Sequence, residues 1–282
     1  MVAVLGGLGA ALAWATATLC ATRATRLIGT PSVLAWVMLT GLAVTVPWAA
    51  VEGAPSLGGE ALGLLLVAGF GNTIGLLFAY SGFKIGKVGI VAPIVSTEGA
   101  IAAVIAVVAG ERLAPGTGPV LVVVAGGIVL AAMGRDSADA DSAPRARRAG
   151  LFGLAAALSF GVSLYATGRL GSELPVAWAV LPPRIVGVLL IALPLAVTAR
   201  LVLTREAAPL VLVAGVAEVV GFASFALGAR HGIAVSAVLA SQFAAVAEVA
   251  AYFVFGERLT RAQLVGVVAI ASGVAVLSAL QA

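Results

Sequence analysis

Long apolar runs follow one another from one end of the chain to the other, separated by short breaks that carry charges, glycine or proline. A spanning helix takes roughly 20 mostly apolar residues. About ten such runs can be read, at 2–22, 31–51, 61–83, 88–109, 119–134, 149–170, 176–199, 209–228, 233–255 and 262–280. Their short connections predict antiparallel neighbours. The expected fold is therefore all-α: a polytopic membrane protein of about ten transmembrane helices. The first run has no basic stretch before it; Arg23 and Arg26 follow it instead, as in an anchor rather than a cleaved signal peptide. One segment is linker-like, Arg135–Arg148 (RDSADADSAPRARR), and it divides the chain into 1–134, the linker 135–148, and 149–282.

Composition narrows the class. Apolar residues make up 62% of the 282 and charged residues only 10%, where a soluble domain carries about 25% charged. Mean hydropathy is +1.17. These values exclude an ordinary water-soluble enzyme and a disordered chain. One cysteine, Cys20, and one histidine, His231, give neither a disulfide framework nor a Cys/His metal cluster, and no cofactor is expected. The net charge of +4 is spread between apolar runs, with no basic domain to hold nucleic acid.

The basic residues instead set orientation. Of the 16 Lys and Arg, the loops after spans 1, 3, 5, 7 and 9 hold all but Arg112, Arg169, Arg230 and the intramembrane Arg184. The positive-inside rule places those loops in the cytosol and both termini outside.

The chain also repeats itself. At a shift of 146 residues, Gly75 meets Gly221, Gly82 meets Gly228, and GERL at Gly110–Leu113 meets GERL at Gly256–Leu259. Each half then holds five spans. An odd number turns the second half over, giving an inverted-topology repeat of the kind found in secondary transporters. The basic loops follow spans 1 and 3 in the first half but spans 7 and 9 in the second, as inversion requires.

The duplicated segments ending in GERL, each preceded by a glycine-ended helix, resemble the EamA family of the drug/metabolite transporter superfamily. The resemblance covers nearly the whole chain as a five-plus-five duplication. It implies export of amino acids, other small metabolites or toxic organic compounds across the bacterial inner membrane.

Ionisable residues at membrane depth are costly and usually face a bundle interior or a wet cavity. Glu98 in span 4, Arg184 in span 7, Glu218 in span 8 and Glu248 in span 9 are of this kind. Glu98 must be protonated, paired (for example with Arg184) or wet, and it is the leading candidate for proton exchange. The repeat sets Asn72 on Glu218 and Ser96 on Gln242, two polar pairs at equivalent positions, which points to one central cavity. Pro93, five residues before Glu98, predicts a kink in span 4. Trp14, Trp36 and Trp178 are candidates to stack on a substrate ring. Glu111 and Arg112, at a span end, read as interfacial anchors or a gate.

The reading these features favour is a secondary active transporter working by alternating access. Its partners would be a small-molecule substrate and membrane lipid, with protons as the candidate coupling ion. No Walker A pattern supplies ATP hydrolysis. The alternatives are a multidrug or organic-cation efflux transporter and a non-transport membrane assembly protein. A membrane-embedded enzyme would need a nucleophile–base pair or metal centre for which one His and one Cys are too few.

Overall fold

In the computed structural model, residues 1–85, 91, 94–132, 143–243, 245–246 and 261–280 are described, and among them every regular element is a helix. The first half contributes α1 (Val2–Ile28), α2 (Thr30–Glu52), α3 (Gly59–Ile85), α4 (Glu98–Val108) and α5 (Thr117–Ala132). The second contributes α6 (Ala143–Glu173), α7 (Val176–Val197), α8 (Ala207–Ala229), α9 (Ile233–Ala240) and α10 (Arg261–Leu280). Six of them, α1, α2, α3, α6, α7 and α8, contain stretches long and apolar enough to cross a membrane.

The distribution of side chains is that of a protein solvated by hydrocarbon. Large apolar residues such as Leu5, Leu12, Leu66, Val104 and Val122 point outward. The interior is filled largely by small ones, Ala10, Ala24, Ala68, Ala166 and Ala214 among them. Helices satisfy their own backbone groups, which is what such surroundings demand. With no difference in polarity between lipid and apolar core to drive association, the helices hold together by close packing through small residues.

That packing exchanges partners between the halves. Gly75 of α3 receives the ring of Phe160 from α6, and Gly221 of α8 receives the ring of Trp14 from α1. Gly82 packs on Ala149 and Phe152, while Gly228 packs on Ala3 and Gly6. Gly41 of α2 lies on Arg184 of α7, and Gly187 of α7 lies on Met38 of α2. Every one of these pairs maps onto the other at the 146-residue shift. The register also fixes direction. In α2 and α7, residues 38 and 41 meet 187 and 184, so these counterparts run antiparallel. In α5 and α10, Val124 meets Gly273 while Gly127 meets Gly266, again antiparallel.

Two sequence expectations change here. Runs 88–109 and 233–255 read as single spans, but each is interrupted. A turn at Ser96 and Thr97 precedes α4, and a turn at Ser241 and Gln242 follows α9. The cause is local hydroxyl bonding: Thr97 donates from both N and Oγ1 to the Ile94 carbonyl, and Ser241 Oγ donates to the Val238 carbonyl. Such i to i−3 bonds compete with the α-helical ladder and tighten it. Glu98 therefore opens a helix rather than sitting midway along one. Pro93, the expected cause of a kink, lies outside the described residues. In addition, α6 begins at Ala143 rather than near 149, so Arg147 and Arg148 stand exposed on its first turns. Span 7 carries a π-helical turn at Val188–Ala192 immediately before Pro194.

Candidate functional site: a buried arginine between the halves

The largest fully buried side chain among the described residues is a cation, Arg184, only 1% exposed. The absence of a side chain at Gly41 lets its stem lie against α2. Its guanidinium sits 4.7 Å over the Phe222 ring, and its Nη2 lies 3.7 Å from Glu218 Oε2. Glu218, Gly221 and Phe222 are spaced i, i+3, i+4 and so share one face of α8. The same face takes Trp14, whose ring lies edge-on to Phe222 at 5.0 Å and also faces Phe225 and Phe243. Four elements thus place the site: α7 supplies the cation, α8 the carboxylate and ring, α1 the indole, and α2 the glycine gap.

The polar groups here are only partly satisfied. At 3.7 Å the Arg184–Glu218 pair is too long for a hydrogen bond. Neither Nη1 nor Nη2 of Arg184 meets an acceptor, and Trp14 Nε1, Asn72 Nδ2 and Gln242 Nε2 are likewise buried and unpartnered. Native interiors rarely leave such groups unmade, and where they do a function or a missing ligand is the usual reason.

The other predicted residues lie on α3 and α4 and at the turns beside α4 and α9. Glu98 is buried at the first turn of α4, where a carboxylate is favoured by the helix dipole. Gly99 beside it packs against Ala237 of α9, and Gly161 of α6 packs against Ile101 and the Glu98 carbonyl. Glu98 and Tyr80 both lie within electrostatic reach of Glu218. Arg184 pairs with Glu218, not with Glu98, so the example pairing suggested by sequence does not form. Asn72 is buried on α3, three residues beyond Gly69, which packs on Pro182 and Val186 either side of Arg184. Ser96 and Gln242 are buried at the turns that interrupt the two counterpart runs. Glu248 lies outside the described residues. Phe222 was not among the residues singled out in the sequence, although its i+4 spacing from Glu218 was the available signal. The indole N–H groups of Trp36 and Trp178 donate to the carbonyls of Val202 and Gly53.

A second feature lies at the end of the bundle where α1 begins and α8 ends. A cavity of about 370 Å³ there is lined by Glu111, Arg112, Tyr165, Arg169, Arg230 and His231, with other residues. Most of the charges are committed. Glu111 accepts from the backbone N–H groups of Ile233 and Ala234, Arg169 pairs with Glu60 and Glu173, and Arg230 donates to the carbonyls of Gly171 and Leu174. The three Arg residues that depart from the cytosolic bias in the sequence all meet at this cavity.

The described residues make a multi-pass helical membrane protein with a charged, incompletely bonded centre. Residues 1–133 match the model of the EamA-like transporter family. No curated protein matches the sequence. A solved structure described only as a crystal structure of a protein superposes with a TM-score of 0.79 at 20% identity, covering 99% of this chain and 96% of that one. That similarity establishes a shared fold.

Proposed function

We propose that the protein is a secondary active transporter that exports amino acids or other small metabolites across the bacterial inner membrane by alternating access. In this reading 1–134 and 149–282 are inverted five-helix repeats joined by the linker 135–148, and ten helices surround one central site. The exchange of glycine contacts between the halves, and the antiparallel course of α2 against α7, support the inversion. The observation that carries the function is the buried Arg184 cation, with its unpartnered donors, beside the partly exposed Glu218. A static membrane scaffold gains nothing from desolvating a cation and leaving its hydrogen bonds unmade. Interrupted helices at Ser96–Thr97 and Ser241–Gln242 add helix ends within the apolar runs 88–109 and 233–255, a device transporters use to meet substrates and ions. Glu98, at one of those ends, is the coupling residue, and protons are the coupling ion.

The test is metabolite profiling inside and outside cells expressing the wild type or Glu98→Gln. One compound class leaves with the wild type and is retained by the variant. Equal export by both removes Glu98 from coupling. No movement under any imposed load or pH gradient removes transport itself.

A further inference from the structure

We propose that the ligand of the central site carries a carboxylate, that Arg184 receives it, and that Glu218 is the internal occupant the ligand displaces; this rests on the transporter reading of the same site. The inference comes from which polar atoms lack partners. Five of the seven are nitrogen donors, namely both terminal nitrogens of Arg184, the Trp14 indole N–H and the side-chain amides of Asn72 and Gln242, and the other two are the hydroxyls of Thr117 and Thr167. Arginine and tryptophan have no acceptor to offer, so the deficit they create is filled only by an acceptor. A planar guanidinium takes a carboxylate through two parallel N–H···O bonds. Glu218 does not supply that geometry, since one of its oxygens approaches one nitrogen at 3.7 Å.

The two partners also differ in freedom. Arg184 is 1% exposed, and it is fixed by Gly41 beside its stem and Phe222 beneath its guanidinium. The Glu218 side chain is 21% exposed. The cation is the stationary element and the carboxylate the one with somewhere to go. A ligand carboxylate that bonds both nitrogens competes directly with Glu218 for Arg184. The Phe222 ring and the Trp14 cluster beside the guanidinium offer its apolar body a surface. A cationic ligand would meet Arg184 as a like charge in a site where desolvation strengthens the repulsion.

Thermal unfolding of the full-length protein in detergent tests this with three probes of one shape: phenylacetate, phenylacetamide and phenethylamine. Phenylacetate alone raises the midpoint of the wild type. Glu218→Gln lowers the ligand-free midpoint but binds phenylacetate at least threefold more tightly, because the internal competitor is gone. Arg184→Gln binds it at least tenfold more weakly. Preference for phenethylamine, equal binding of phenylacetate by Arg184→Gln, or binding of none of the three overturns the proposal. Should Arg184→Gln fail to fold, unchanged or weaker phenylacetate binding by Glu218→Gln overturns it on its own. Counterflow in proteoliposomes separates the two readings. Phenylacetate binding without counterflow keeps the carboxylate site and removes transport. Counterflow of phenethylamine alone keeps transport and removes the carboxylate assignment.

Discussion

The two halves agree in packing and disagree in chemistry. Trp14 on Gly221 answers Phe160 on Gly75, and Met38 on Gly187 answers Arg184 on Gly41. Where the first half has the neutral residues Met38 and Asn72, the second has the charged pair Arg184 and Glu218. Conversely, Glu98 of the first half corresponds to Ala244 of the second. Ring-to-glycine contacts repeat because they set helix spacing, and both halves must meet that spacing to close around the same interior. Charges need not repeat, because a site near the axis between the halves can be completed once from either side. The repeat thus describes the helix packing, and the charged side chains are where the halves depart from it.

The largest expected effect tests the asymmetric part. Glu218→Asn alone gives the second half the residue of the first and strands the Arg184 cation. Breaking a buried pair from one side costs about 3 kcal/mol, read as a lower unfolding midpoint. Adding Arg184→Met completes the copy of the first half, and stability returns to within about 1 kcal/mol of the wild type or exceeds it. Transport by the double variant is lost. A double variant that still transports would place the chemistry elsewhere. The symmetric part comes next. Gly75→Ala and Gly221→Ala each bring a Cβ against a ring, and overpacking of this kind costs about 2 kcal/mol. Matching losses sharpen the equivalence of the halves, and a loss at only one of the two breaks it.

The parts of the molecule legible in the sequence were those that repeat. Run length marked the apolar helices, and GERL with its paired glycines gave the 146-residue register in which Gly41, Gly75, Gly187 and Gly221 make their equivalent contacts. Glu98, Arg184 and Glu218 stood out because ionisable residues in apolar runs are conspicuous. Their pairing did not, since whether Arg184 meets Glu98 or Glu218 depends on how α7 lies between α2 and α8. The interruption at Ser241 was also hidden: no proline marks it, and a serine that bonds back to Val238 looks in sequence like any small polar residue of a helix. Phe222 carries only its i+4 spacing from Glu218 as a sequence signal, and that spacing gains meaning once Arg184 is seen to lie over the ring.

Smaller effects belong to the end of the bundle with the charged cavity. Glu111, in the connection between α4 and α5, caps α9 by accepting the N–H groups of Ile233 and Ala234. Glu111→Ala removes an acceptor from a helix N-terminus and costs about 1 kcal/mol. Glu257→Ala, 146 residues on, loses the same amount if the equivalence of the halves extends to this cap, and thermal unfolding of the two variants side by side decides it. The smallest effect separates Arg169 from its counterpart Arg23. Arg169 reaches Glu60 and Glu173, each at 3.0 Å, but its side chain is 35% exposed and that of Glu60 is 72% exposed. Water competes for both pairs, and holding three long side chains in one arrangement costs entropy, so Arg169→Ala lowers stability by only about 0.5 kcal/mol. Arg23 has no ion pair among the described residues, and Arg23→Ala leaves stability unchanged. Salt distinguishes the cases. Near 1 M, where the screening length falls to about 3 Å, the Arg169 pairs are largely neutralised, and the difference between the two variants disappears. A difference that survives high salt would mean that Arg169 supports the fold through its hydrogen bond to the Tyr165 hydroxyl rather than through its ion pairs.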